Sequence, residues 1–406
     1  MSKLSDRINN LAESQTLAMA KKSRELQAKG KDIISLSIGE PDFDTPQFIK
    51  DAAKRAIDNN ITRYTPVAGI AELRKAISEK FKRDNNLNYT SEQIIVSTGA
   101  KQSLANVILS LVNPGEEVIV PIPYWVSYIE TIKLAEGIPV LIPTSVESNF
   151  KITPEQLKKA ITSKTKLVVF STPCNPSGSV YSKEELKALA EIIIQYPDLY
   201  VISDEIYEYI NFIGKHESIA QFDFIYDRVI TVNGVSKGYA MTGWRIGYIG
   251  APLWISQACE KMQGQFTSGA CSISQMAALE AVKANPSVTF QMRDAFKKRR
   301  DLVLGLLKEI PGVKTNIPDG AFYIFPDISF YFGKSYKNYH IKNSNDLSMF
   351  LLEEGNIALV SGDAFGDDNC IRFSYATSEE RLIESVKRVK EALAKLGFKH
   401  YDKATV

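Results

Sequence analysis

Histidine and cysteine are scarce: the chain has three His and four Cys in 406 residues. His216, His340 and His400 lie apart from one another and outside every motif described below, so histidine-based catalysis and metal binding find no support. No zinc-ligand spacing occurs. Cys174, Cys259, Cys271 and Cys370 are scattered, which argues against a disulfide framework and fits a reducing, cytoplasmic setting. The N-terminus is polar and lacks an apolar signal core. No stretch approaches the roughly 20 apolar residues of a membrane helix. An excess of one charge is missing too. The 49 Lys+Arg against 47 Asp+Glu leave +2, with no run of like charge, so neither nucleic acid nor an anionic membrane is expected as partner. There is no GxxxxGK, which excludes a P-loop, and no GxGxxG, which counts against the usual dinucleotide fold.

What is present is a repeated alternation. Short apolar runs at 94–96, 118–120, 167–170, 199–202, 229–232 and 246–249 read as strands separated by helices, such as 99–112. The pattern predicts an α/β fold with a mostly parallel sheet covered on both faces. The length predicts two domains. We divide it into an N-terminal arm over 1–47, which also contributes to the smaller domain, a large domain over 48–285, and a small α+β domain over 286–406. Residues 33–38 read as a strand leading into the turn-rich Gly39 to Pro46. In the last third, a helix is expected over about 288–307, with Phe296, Leu302, Leu306 and Leu307 inward. Residues 321–325 and 370–375 read as strands. Thr377 to Glu380 has the pattern of a capping box opening a helix whose core face is Leu382, Val386, Val389, Leu393 and Leu396.

Unusual polar and aromatic residues cluster just past the strands. In open parallel sheets, ligands bind beyond the strand C-termini. Lys237 and Arg245 lie in the small-residue segment Gly234 to Gly247. A lysine held there can form a Schiff base with an aldehyde cofactor, and an arginine nearby can hold a phosphate. Gly99-Ala100-Lys101 opens a helix whose free N–H groups suit phosphate. Asp204 ends an apolar run and can pair with a protonated ring nitrogen. Tyr207 and Asn175 can donate to a ring oxygen, and Trp125 offers a face for stacking. Each residue alone has an ordinary structural explanation. Together they match the needs of pyridoxal phosphate, for which the lysine can serve as base and then acid.

These ordered motifs resemble the fold-type I, class I pyridoxal-phosphate aminotransferases, in particular their bacterial aspartate aminotransferase branch. The matching segments are Gly39 to Pro46, Pro123 to Tyr128, Ser203 to Tyr207, Gly234 to Gly247 and Arg372 to Ala376. The resemblance implies a seven-stranded-type large sheet and a homodimer with shared active sites. Lys237 would attach the cofactor, with Ser236 beside it. Asp204 would face the pyridine nitrogen, and Tyr207 and Asn175 the phenolic oxygen. Arg245 and the turn Gly99, Ala100, Lys101 would bind phosphate, joined by Tyr64 from a second copy. Arg372 would grip the substrate α-carboxylate, a bidentate geometry that lysine cannot reproduce. Gly39, Trp125 and Asn175 would also border the substrate. Lys101, with Ser14 and Thr16, would receive a side-chain carboxylate.

Three departures stand out, one being that no Arg occurs between Lys261 and Met292, where the enteric and animal branch keeps its side-chain-carboxylate receptor. Gly234 replaces a common serine, so one phosphate hydroxyl is missing, and Cys174 replaces a common asparagine. Relatives that accept prephenate carry a basic residue shortly before the Ser-x-Thr. Here that stretch is Leu11-Ala12-Glu13, which argues against prephenate. The implied reaction is amino transfer from L-aspartate to 2-oxoglutarate. The alternatives on the same fold are a broader aromatic or prephenate transaminase and a β-lyase. A non-enzymatic regulator is disfavoured.

Overall fold

The computed structural model describes residues 4–397. Its centre is a seven-stranded sheet of β1 (Ile94–Ser97), β2 (Glu117–Pro121), β3 (Ile138–Ile142), β4 (Thr165–Ser171), β5 (Tyr200–Asp204), β6 (Val229–Gly234) and β7 (Gly247–Gly250). The spatial order is β1-β7-β6-β5-β4-β2-β3. β7 runs antiparallel to both its neighbours, and the remaining pairs are parallel.

The apolar runs are continuous because both faces are covered. Alternate residues divide between two cores, as the period of two requires. Ile94, Val96, Ile119, Val168 and Val201 pack with helices Gln47–Asp58, Ala71–Lys80 and Ser272–Lys283. Ile95, Val118, Val120, Val169 and Ile202 pack with Ala100–Leu111 and Leu253–Phe266. β3 was not foreseen. It is an edge strand with Pro139 in its run, and Ile138 and Leu141 are exposed, so neither periodicity nor composition marks it.

A second layer carries a three-stranded antiparallel sheet, Val360–Ser361, Ile371–Ser374 and Tyr323–Ile324. Helices Phe290–Leu307, Ser344–Glu354 and Glu379–Lys395 pack with it around Phe296, Phe322, Phe350 and Val389. Ile34 and Leu36 belong to this core. The strand expected over 33–38 is only Ile34–Ser35, because its parallel partner Ile357–Ala358 is equally short. The long helix turns Val303 and Leu304 inward, leaving Leu302 and Leu306 half-buried. The final helix is capped differently from expectation. Ser378 is the N-cap and accepts from the Arg381 N–H, so position N3 is arginine and no capping box forms. Its predicted core face, Leu382, Val386, Val389, Leu393 and Leu396, is buried. No helix among the described residues is long and apolar enough to cross a membrane.

Candidate active site

A cavity of about 300 Å³ opens beyond the C-terminal ends of the parallel strands. Its lining includes Thr16, Gly39, Ala100, Lys101, Trp125, Asn175, Asp204, Tyr207, Ser236, Lys237, Arg245 and Arg372. Residues separated by more than 350 positions therefore meet there. Gly99 lies immediately behind Ala100, against Arg245. Tyr64 is not brought to this cavity. It is fully exposed, on a different surface beside Thr267 to Ile273.

Lys237 follows β6 and is half-buried. Its Nζ donates to the Gly39 carbonyl at 2.6 Å. Burial lowers its pKa to about 8, and the Arg372 and Arg245 charges act in the same direction. The Gly39 to Pro46 connection is pinned to the lysine segment. Thr45 donates to the Ala240 carbonyl at 2.6 Å, Trp244 Nε1 donates to Thr45 Oγ1 at 3.0 Å, and Thr242 donates to Glu40 at 2.6 Å.

Asp204 is the last residue of β5 and is buried. Burial raises its pKa to about 6. A 2.7 Å hydrogen bond from Tyr128 OH and a 3.3 Å bond from the Ile206 N–H work the other way. Trp125 meets the Tyr128 ring edge-on at 5.7 Å. Lys101 Nζ lies 5.2 Å from the Trp125 ring centre, and burial lowers its pKa.

The turn between β1 and helix Ala100–Leu111 shows why glycine stands there. Gly99 is the N-cap, with φ +83°, and a Cβ would collide with the Arg245 guanidinium. Across the turn, a Cβ on Gly247 would strike the Ala100 N–H. A helix N-terminus and a guanidinium are thus packed together, an arrangement that favours an anion. Gly234 also has a local reason: a Cβ would lie 2.9 Å from the Ile246 carbonyl and 3.0 Å from Gly247 Cα.

Arg372 comes from the second layer and is buried. It donates to Asn175 Oδ1 at 3.0 Å and to the Ser37 carbonyl at 2.6 Å, while its Nε has no partner. Among the described residues no carboxylate pairs with it. The rings of Tyr323 and Phe365 flank it at 4.6 and 4.9 Å. Tyr323 was read only as part of a strand. Its hydroxyl bonds that of Tyr207 at 2.8 Å, so it touches two site residues. Tyr128 stood in a matched motif but had no role. For Tyr323, a tyrosine inside the apolar run Ala321 to Phe325 was the available signal, since its buried hydroxyl needs a partner.

Cys174 is buried, with its thiol pKa raised by burial and Sγ 3.8 Å from the Pro123 carbonyl, so it packs rather than reacts. Among the described residues no cluster suits a metal, and His400 lies outside them.

Comparison with known proteins agrees with this geometry. The family model described as aminotransferase class I and II matches residues 31–389. A bifunctional aspartate aminotransferase and glutamate/aspartate-prephenate aminotransferase of Petunia hybrida is 47% identical over 395 residues, covering 96% of this chain and 82% of that one. An aspartate/prephenate aminotransferase of Cereibacter sphaeroides is 47% identical over 407 residues, covering 98% and 100%. Among solved structures, aspartate aminotransferase from Rhizobium meliloti superposes with TM-score 0.94 at 40% identity, covering 97% and 100%. That from Thermus thermophilus with maleate gives 0.91 at 40% identity, with the same coverage.

Proposed function

We propose a reaction from one established premise: the chain belongs to the class I and II aminotransferase family. It is a pyridoxal-phosphate enzyme that moves the amino group of L-aspartate to 2-oxoglutarate, giving oxaloacetate and L-glutamate by a ping-pong route. The observation that carries this reading is Arg372, a buried guanidinium without a carboxylate partner among the described residues, in one cavity with Lys237. A buried cation is costly unless an anion completes it. An amino acid's α-carboxylate does so and sets its Cα near the lysine.

The residues present fit the cofactor. The collision that Gly99 avoids marks a cradle for phosphate between Arg245 and the N-terminus of helix Ala100–Leu111. Asp204 is an acceptor for a protonated ring nitrogen. Tyr207 offers a hydroxyl, and Asn175, whose Oδ1 is taken by Arg372, keeps its Nδ2 as a donor. Ser236 adds a hydroxyl and Trp125 a flat face. When bound, the cofactor supplies an aldehyde for amine exchange and a ring that delocalises charge from the substrate Cα. Arg372 orients the α-carboxylate. Lys237 Nζ takes the Cα proton and later returns it, and a pKa near 8 suits both directions at neutral pH. Gly39, whose carbonyl holds Lys237 Nζ, borders the substrate.

Lys101, with Ser14 and Thr16, receives the side-chain carboxylate of aspartate. The Thermus structure is with maleate, a four-carbon dicarboxylate, which supports a dicarboxylic substrate. Tyr64 is fully exposed, and we assign it to the phosphate site of a second copy in a homodimer. Four unpaired cysteines suit the cytoplasm. We keep the division at 47 and 285, noting that Ile34 and Leu36 share a core with the C-terminal layer.

Relatives named aspartate/prephenate aminotransferases favour a second reading, in which prephenate is also an acceptor. Leu11-Ala12-Glu13 remains the argument against it. These residues line a cavity of about 400 Å³ next to the first, where Glu13, Glu130 and Asp363 bring carboxylates and Lys101 and Lys133 bring ammonium groups, so the stretch itself adds no cation. A steady-state panel tests both readings: aspartate, alanine and phenylalanine as donors to 2-oxoglutarate, then glutamate as donor to prephenate. Aspartate should lead the donors. Phenylalanine in front would replace the aspartate reading with the aromatic one, and prephenate turnover comparable to oxaloacetate would establish the broader one.

A further inference from the structure

Asp204 and Tyr207 face the cavity, whereas Glu205 and Glu208 in the same stretch do not line it and are buried. Glu205 Oε1 accepts from Ser203 Oγ at 2.8 Å and Ser218 Oγ at 2.6 Å, and Oε2 lies 2.9 Å from His216 Nε2. Glu208 Oε2 accepts from Asn85 Nδ2 at 2.8 Å, and Oε1 contacts the fully buried Lys80 Nζ. Lys80 also donates to Asn85 Oδ1 at 2.8 Å. The next residue, Tyr209, donates to Asp84 at 2.6 Å, and Gly238, which follows Lys237, packs on its ring.

This layer is placed where the sheet stops supporting the chain. β5 ends at Asp204. The Glu205 N–H still reaches the Val232 carbonyl at 2.8 Å, but the Glu208 N–H turns back to the Glu205 carbonyl at 2.9 Å. Between Glu205 and the isolated bridge of Asn211 to Gly320, the backbone carrying Tyr207 has no strand neighbour to hold it. Side chains replace the ladder. Burial opposes charge on His216, yet the Glu205 and Glu208 carboxylates outweigh it and raise the imidazole pKa. None of these groups lines the cavity, so none does chemistry there.

We propose that Glu205 and Glu208, gripped by His216 and Lys80, are positioning residues that fix Asp204 and Tyr207 from behind. This rests on the reading that Asp204 faces the cofactor ring nitrogen. Small displacements of such groups cost rate, because the aligned geometry is what the site supplies.

The test uses holoenzyme of His216→Phe, His216→Gln, Ser218→Ala and Asp204→Ala. The readouts are kcat and KM for aspartate, the pH midpoint of the bound cofactor's visible absorbance, and the melting temperature. In His216→Phe, kcat should fall about tenfold with KM within about twofold. The absorbance midpoint should rise by roughly half a pH unit, because a loosened Asp204 supports less positive charge on the ring. His216→Gln keeps a donor toward Glu205 and should recover most of both. Wild-type kcat and midpoint in His216→Phe, with only a lower melting temperature, would overturn the proposal. If His216→Phe does not fold, Ser218→Ala carries the test: a smaller rise in midpoint is expected, and an unmoved one overturns it. An unmoved midpoint in Asp204→Ala overturns the Asp204 reading itself, and the proposal with it.

Discussion

The two sides of the cavity are held very differently. On the floor, each group has at least one fixed partner. Arg372 is buried between two rings with two acceptors, Asp204 takes a hydroxyl and an N–H, and Lys237 is bonded to Gly39. At the rim, Lys101 is exposed. The arm beside it is tied by exposed contacts, among them Gln15 to Asp363 at 2.9 Å, Ala12 N–H to Glu130 at 2.7 Å and Arg7 to Glu136 at 3.6 Å. Groups packed and hydrogen-bonded below the surface resist displacement, whereas exposed single bonds contribute about 1 kcal/mol or less. Under the proposed function, the floor holds the steps common to every amino donor. Under the same proposal the rim holds the choice among donors, and a loosely held rim can change without disturbing the chemistry.

The strongest break in this contrast should come from Lys237→Ala. Turnover should fall by roughly 10⁴-fold or more, and the borohydride-trapped cofactor adduct should disappear. An adduct surviving on another lysine would remove Lys237 from the floor. The lowered pKa adds a sign that can be checked on cofactor-stripped wild type. Only the neutral amine attacks an aldehyde, so the adduct should form faster as pH rises through about 8. A midpoint near the ordinary lysine value of 10.5 would mean that burial does not act on this amine.

Arg372→Lys should cost less, about 10² to 10³ in kcat/KM, because lysine keeps the charge but not the fork. The loss should be nearly equal for aspartate and alanine, since both carry the α-carboxylate. A loss confined to aspartate would transfer Arg372 from the common chemistry to the selection of side chains.

The floor was also the more legible side. Strands buried on both faces leave continuous apolar runs, and the residues that interrupt them at one end, Asp204 and Lys237, stand out against that background. Contacts between distant segments leave no such trace. Nothing near Tyr323 in sequence indicates that its hydroxyl meets Tyr207, and nothing near Glu205 indicates His216. The histidines were set aside because they matched no motif. That reading leaves out the buried contact between His216 and Glu205. β3 escaped for the opposite reason, since an exposed edge strand lacks the pattern of burial that exposed the others.

Lys101→Ala is the mildest change and the one that tests the rim itself. The residue is exposed although its ammonium is partly desolvated, so its attraction for a second carboxylate is partly screened, and its removal should lower kcat/KM for aspartate by about tenfold. Alanine, which has no side-chain carboxylate, should change by no more than about twofold. Lys101 also adjoins Arg245 and the first turn of helix Ala100–Leu111, so a loss of cofactor is the competing explanation. The two differ in form. Weaker cofactor binding lowers turnover of both donors together and is reversed by added pyridoxal phosphate, whereas a lost side-chain contact raises the KM of aspartate alone and persists at cofactor saturation. If both donors fall equally under saturation, Lys101 belongs to the floor, and the preference for an acidic donor must be sought in Ser14, Thr16 or the second copy.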